Sequence, residues 1–185
     1  MVRVCTGLGV GSIWKGNQAV RTKTAFRIEC RRINSRREAK QALKYPPEIL
    51  TGIQAQAVGR GLARKISLSN YTVWACAILP EHTHLVVARH SYAVEKIANL
   101  LKGAATRQLK EAQLHPLADY ANAHGKLPSV WAARQWKVYL DNEQAIDEAI
   151  HYVETNPEKE NKPPQEWSFV TRFSGIPTGG STTYH

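Results

Sequence analysis

The sequence predicts an α+β domain, because patterns typical of strands and of amphipathic helices both occur between residues 71 and 156. Residues 71–79 are a nearly continuous apolar run, which indicates a strand buried on both faces. Residues 82–88 then alternate in polarity, as a half-buried strand does. Two later segments, 93–111 and 141–156, carry apolar side chains at helical spacing.

The connections between these elements can also be predicted. Pro80 with its neighbours predicts a tight turn between the two strands. The segment 114–130 has the composition of a loop, and 135–140 that of a short strand. We predict that the last helix begins at a capping box of Asp141 and Gln144 and ends at Asn156-Pro157.

The first 45 residues differ from the rest of the 185-residue chain. They carry eleven Lys or Arg and two acidic residues, most of the net charge of +10. Such a segment fits a nucleic-acid contact, and it equally fits a solvated basic tail. Glycines at 7–12 favour a loop, and no convincing strand opens the chain. We therefore predict a basic segment at 1–45, a folded domain at 46–172 and a disordered tail at 173–185.

The composition argues against a membrane-spanning protein and against one stabilised by disulfides or a zinc finger. The chain is 43% hydrophobic but lacks 18 consecutive apolar residues, so we expect no membrane span and no leader peptide. Its three cysteines are widely spaced and fit neither a disulfide framework nor a zinc finger. A reducing cytoplasm is the expected location.

His82-Thr83-His84 is the first group of residues that could carry chemistry. On a strand, residues two apart point to one face, so both imidazoles could share a divalent cation. The same pair is often only structural, and the motif alone leaves both interpretations open.

Tyr152 and Asn156 are the second group, four residues apart on the predicted last helix. Both lie on the flank of its apolar stripe, where a side chain can be held by packing and still reach a site. A tyrosine there can also simply pack. Three cations are candidate phosphate contacts, although such residues are more often just solvated: Lys102, Arg107 and Lys137.

Taken together, three stretches resemble the single-tyrosine HUH transposases, especially the REP-associated tyrosine transposases. Residues 77–87 are similar to the family's hydrophobic strand followed by Pro and the His pair. Residues 100–106 are similar to the helix after that strand, and residues 149–157 to a Tyr-x-x-x-Asn-Pro helix. The Trp-Ser-Phe at 167–169 is a further point of similarity.

The resemblance implies a central, mainly antiparallel sheet flanked by helices, the ferredoxin-like HUH endonuclease fold. It implies that His82, His84 and Asn156 bind Mg²⁺ or Mn²⁺ and that Tyr152 attacks a DNA phosphate, forming a 5′-phosphotyrosine. The expected activity is single-stranded DNA cleavage and strand transfer in transposition of a mobile element. The expected partner is single-stranded DNA, with hairpins, and the active unit is a monomer or a homodimer.

Two departures and two alternatives accompany this expectation. Thr83 replaces a bulky apolar residue, and the family's opening strand has no convincing equivalent in residues 1–45. A decayed or domesticated transposase that only binds DNA hairpins would share all these residues. An unrelated hydrolase that uses His82 and His84 would give Tyr152 no role.

Overall fold

The computed structural model describes residues 2–9, 49–132 and 135–175. Within these ranges the chain forms four strands, three α-helices and one short 3₁₀ turn, and two of the strands form a hairpin. The elements are β1 (Val2–Gly9), α1 (Gly52–Ser69), β2 (Val73–Ile78), β3 (His82–Val87), α2 (Val94–Glu111), the 3₁₀ turn (Ala118–Tyr120), β4 (Val138–Leu140) and α3 (Glu143–Lys159). Both predicted helices and the predicted β2–β3 hairpin are confirmed, and the short strand is confirmed at its carboxyl end.

The strands form one antiparallel sheet in the order β2-β3-β1-β4. Strand β3 therefore lies inside the sheet, between β2 and β1. His84 is paired with Ala77 on one side and with Thr6 on the other. The sheet with flanking helices is the α+β architecture that the sequence analysis expected.

The expectation that no strand opens the chain is wrong. Val2–Gly9 pairs with β3 on one side and with β4 on the other. The pairing shifts register between Thr6 and Leu8, at the position of Gly7. A glycine inside a strand often marks such a bulge, so the glycines that favoured a loop fit an irregular strand equally well. The remainder of the predicted basic segment lies outside the described residues.

The two faces of the sheet carry different helices. Leu85 and Val87 of β3 pack in one apolar cluster with α1 and α2. Val86, between them, packs in a second cluster with α3. Because side chains alternate along a strand, His82 and His84 share the face of Val86 and point toward α3.

The boundaries of α3 differ from the predicted ones. Its N-cap is Asn142, whose side chain accepts a hydrogen bond of 2.8 Å from the Ala145 amide, so the predicted capping residue was one position early. Pro157 lies inside the helix, which continues to Lys159. The chain turns only where Asn161 adopts a left-handed conformation with φ of 55°. A proline near the end removes one backbone hydrogen bond without stopping the last turn.

The carboxyl-terminal segment covers the free edge of β2. The Gln165 side chain accepts a hydrogen bond from the Ile78 amide and donates one to the Ile78 carbonyl, each of 2.8 Å. The Thr171 amide donates to the Val73 carbonyl further along the edge. Trp167 packs against the apolar cluster beside α1. Most of the predicted tail, residues 176–185, lies outside the described residues.

Two helical glycines should respond in opposite ways to substitution by alanine. A Cβ on Gly61 of α1 would lie 2.8 Å from the Ala104 carbonyl oxygen of α2, so backbone must move. We expect Gly61→Ala to lower the free energy of unfolding by about 1–3 kcal/mol. Gly103 has open space at its Cβ position, and Gly103→Ala should raise stability by about 0.4–1 kcal/mol.

Urea unfolding of the two variants measures both effects. If Gly61→Ala unfolds at the same urea concentration as the unsubstituted protein, the close approach of α1 and α2 is not required. Gly103→Ala controls for helix propensity, because it makes the same substitution without the steric conflict.

Candidate functional site

The His pair lies in the interior of the sheet, on the face toward α3. His82 is 8% exposed and His84 is 1% exposed. Their ring centroids are 4.6 Å apart, with the rings close to perpendicular. This is the convergence of two imidazoles that the spacing along one strand predicts.

Burial keeps the two imidazoles neutral. Burial and, to a smaller extent, the neighbouring His82 together lower the pKa of His84 to about 3. Burial also lowers the pKa of His82, against the opposing effect of the negative charges of Glu160 and Glu81. Neutral imidazole is the form that offers a lone pair to a metal ion.

Helix α3 brings Tyr152 to the His pair. The Tyr152 ring centroid lies 5.6 Å from that of His84, with the rings nearly perpendicular. Tyr152 is 40% exposed, whereas Asn156, one turn later, is 6% exposed. The tyrosine is therefore held by packing and accessible to a large substrate, as its position on the flank of the helix predicted.

The surroundings of Tyr152 favour the protonated phenol. Burial raises its pKa, and the negative charge of Glu160 raises it further, while a polar interaction with Asn156 lowers it. The ammonium of Lys159 lies over the ring, 4.8 Å from its centroid. Attack by Tyr152 on a substrate therefore requires loss of the phenol proton during the reaction.

Asn156 is the third member of the predicted ligand set. Its amide nitrogen is buried and forms no hydrogen bond that meets normal geometry with any described residue. No group of three His, Cys, Asp or Glu side chains in the described ranges is placed to hold a metal. A cation at this site would need donors of mixed type: two imidazole nitrogens and an amide oxygen.

Glu160 belongs to the same site, although the sequence patterns did not predict it. Its Oε1 lies 3.5 Å from Nε2 of His82. It follows Asn156 by four residues, so the two occupy one side of α3. The signal was this spacing, and it was overlooked because the helix was predicted to end at Pro157.

The three predicted phosphate contacts lie elsewhere. Lys102 and Arg107 are on α2, on the face of the sheet opposite the His pair. The Lys102 ammonium is buried and donates a hydrogen bond of 2.9 Å to the Ala132 carbonyl. Arg107 is exposed, in a groove that it shares with two other cations on α1: Arg64 and Lys65. Lys137, before β4, forms an ion pair with Glu95.

Comparisons with known proteins find similarity in structure at low identity. A REP-associated tyrosine transposase bound to a REP hairpin aligns over 74% of this chain and 88% of its own, with 17% identity and a TM-score of 0.49. A protein provisionally assigned as a transposase, from Deinococcus radiodurans R1, aligns over 64% of this chain and 83% of its own, with 15% identity and a TM-score of 0.41.

No protein-family model and no curated protein matches the sequence. Among the helices of the described residues, none is both long enough and apolar enough to cross a membrane.

Proposed function

We propose that this protein is a metal-dependent single-stranded DNA endonuclease and strand transferase that uses Tyr152 as its nucleophile. The observation that carries the proposal is the contact between Tyr152 and His84, with ring centroids 5.6 Å apart. A lone tyrosine or a lone His pair is commonplace. Their meeting across a sheet and a helix, about 70 residues apart in sequence, is what a tyrosine nuclease with a cation site requires.

The reaction is a transfer of one phosphodiester. A bond forms between the Tyr152 phenol oxygen and phosphorus, and the bond from phosphorus to the 3′-oxygen breaks. The phenol proton passes to solvent, to which Tyr152 is 40% exposed, and the departing 3′-oxygen takes up a proton from solvent to become a hydroxyl. Attack of another strand's 3′-hydroxyl on the phosphotyrosine reverses these changes and joins DNA strands.

The residues that would hold a cation are His82, His84 and Asn156. The two rings are neutral and close together, and the Asn156 amide nitrogen forms no hydrogen bond of normal geometry with a described residue. Two imidazole nitrogens and an amide oxygen can coordinate a divalent cation such as Mn²⁺ or Mg²⁺, but without a carboxylate they would bind it weakly. When bound, the cation would orient and polarise the scissile phosphate.

Exposed cations away from the reacting tyrosine are the candidates for further DNA contacts. Arg107 has an exposed side chain that a phosphate could reach, whereas Lys137 is ion-paired with Glu95 and Lys102 is engaged with Ala132. We expect Arg107→Ala to weaken hairpin binding a few-fold and to lower the slope of log K against log salt by about 1. Fluorescence anisotropy at several salt concentrations measures both quantities.

Arg107→Lys serves as the matched variant, because it keeps the charge and should keep the salt slope. An unchanged slope in Arg107→Ala would remove Arg107 from the DNA-binding surface.

One observation favours a binding protein without catalysis. The pKa of Tyr152 is raised by burial and by Glu160, which opposes formation of a nucleophilic phenolate. A decayed or domesticated transposase that retains only hairpin binding is therefore the second candidate function. It shares the fold and all the residues described above, so only a chemical test separates the two.

Covalent trapping is that test. Purified protein is mixed with single-stranded DNA that carries a hairpin, with Mn²⁺ or Mg²⁺, and separated on a denaturing gel. The proposal expects an adduct that carries a 3′-terminal label but not a 5′-terminal label, because the protein joins the 5′ end of the downstream fragment. EDTA should abolish it. Hairpin binding with no adduct at either metal would favour the binding protein.

A further inference from the structure

The predicted ligand set contains no negative charge. His82 and His84 are neutral imidazoles, and Asn156 offers an amide oxygen. Mg²⁺ and Mn²⁺ are hard cations that proteins usually hold with at least one carboxylate. A neutral set of three donors would bind these cations weakly. Glu160 is an acidic side chain 3.5 Å from His82 and could supply the missing negative charge.

The end of α3 fixes the backbone of Glu160 beside the site. The Glu160 amide donates a hydrogen bond of 3.0 Å to the Pro157 carbonyl. Asn161 then takes up a left-handed conformation, and the Lys162 amide closes the turn with a bond of 2.8 Å to the same carbonyl. The Glu160 side chain is 37% exposed and can adjust, while its backbone is anchored.

The separation of Glu160 from His82 fits two donors around one ion. Their distance of 3.5 Å exceeds the ~2.7–2.9 Å of a strong hydrogen bond between charged groups. Two donors that each lie ~2.1 Å from a common cation are ~3.0 Å apart at a right angle and ~3.4 Å apart at a tetrahedral angle. In their present positions no three His, Cys, Asp or Glu side chains of the described residues are placed to hold a metal, so the exposed Glu160 side chain must move to share a cation with His82.

We propose that Glu160 is the anionic ligand of this cation site, together with His82, His84 and Asn156. The proposal rests on the proposed function for the presence of a cation and adds a residue to its site. It also explains why a carboxylate lies beside Tyr152. A bound cation would balance the negative charge of Glu160, which otherwise disfavours the phenolate.

Manganese binding tests the proposal without any reaction. Free Mn²⁺ is measured by electron paramagnetic resonance while the full-length Tyr152→Phe protein is titrated, so no DNA chemistry interferes. In this background we expect Glu160→Gln, which keeps size and removes charge, to raise the Mn²⁺ dissociation constant about tenfold or more. Glu158→Gln is the control, an exposed glutamate two residues earlier on α3, and should leave the constant unchanged.

Two results would overturn the proposal: no Mn²⁺ binding by the parent protein, or equal binding by the parent and Glu160→Gln. Circular dichroism melting confirms that each variant is folded, which the half-exposed position of Glu160 leads us to expect.

The assay separates this inference from the proposed function. Mn²⁺ binding that depends on Glu160, with no covalent DNA adduct in the unsubstituted protein, would keep the inference and reject the nuclease. If the unsubstituted protein forms the adduct but Glu160→Gln does not change the Mn²⁺ dissociation constant, the nuclease is kept and the role of Glu160 is rejected.

Discussion

Tyr152→Phe should abolish covalent attachment to DNA and leave hairpin binding intact. Phenylalanine keeps the ring that packs against His84 and removes only the hydroxyl oxygen that attacks phosphorus. Loss of a nucleophile typically costs roughly 10⁴-fold or more in rate, so we expect no detectable adduct. Adduct yield on a denaturing gel and Kd for the hairpin by anisotropy are the two measurements.

Tyr139→Phe is the matched control. Tyr139, on β4, is 40% exposed, the same fraction as Tyr152. Its substitution should leave the adduct yield unchanged. If Tyr152→Phe forms the adduct at the rate of the unsubstituted protein, another residue is the nucleophile and the site has been misidentified.

His84→Gln should lower the rate of adduct formation by at least about 100-fold. Glutamine is similar in size, so it removes the imidazole nitrogen without opening a large cavity at a side chain that is 1% exposed. The defect should shrink as the Mn²⁺ concentration rises, because the remaining donors still bind the cation weakly. Initial rates over a Mn²⁺ titration show both effects.

His151→Gln provides the comparison. His151 is exposed on α3, directly before Tyr152 in sequence, and is not part of the proposed ligand set. Its variant should react at the rate of the unsubstituted protein at every Mn²⁺ concentration. A fully active His84→Gln variant would exclude a role for His84 in holding the cation.

Side-chain periodicity is the part of the fold that the sequence predicts well. The apolar run before Pro80 fits a strand that is buried on both faces, and the alternation after it fits a strand that is buried on one face. Together with the turn at Pro80, these patterns indicate a hairpin. The opening strand could not be predicted in this way. Gly7 and Gly9 weaken local strand preference, and the pairing with β3 and β4 that stabilises Val2–Gly9 is a long-range contact.

The candidate site shows the same division. Spacing along one strand and one helix singled out His82, His84, Tyr152 and Asn156, and the resemblance supplied their roles; in the structure the rings of His82, His84 and Tyr152 lie together. Glu160 was missed because a local rule, that proline ends a helix, was applied to the last turn of α3. The buried contact of Lys102 with Ala132 depends on a loop whose path no sequence pattern specifies.

The most direct test of the central claim is to identify the protein atom that becomes joined to DNA. Unsubstituted protein is incubated with hairpin-containing single-stranded DNA and Mn²⁺, digested with nuclease and protease, and mapped by tandem mass spectrometry. We expect one modified peptide, with a 5′-linked nucleotide on Tyr152 and none in a parallel reaction with EDTA. A nucleotide on a different residue, or no modified peptide from protein that binds the hairpin, would contradict the account.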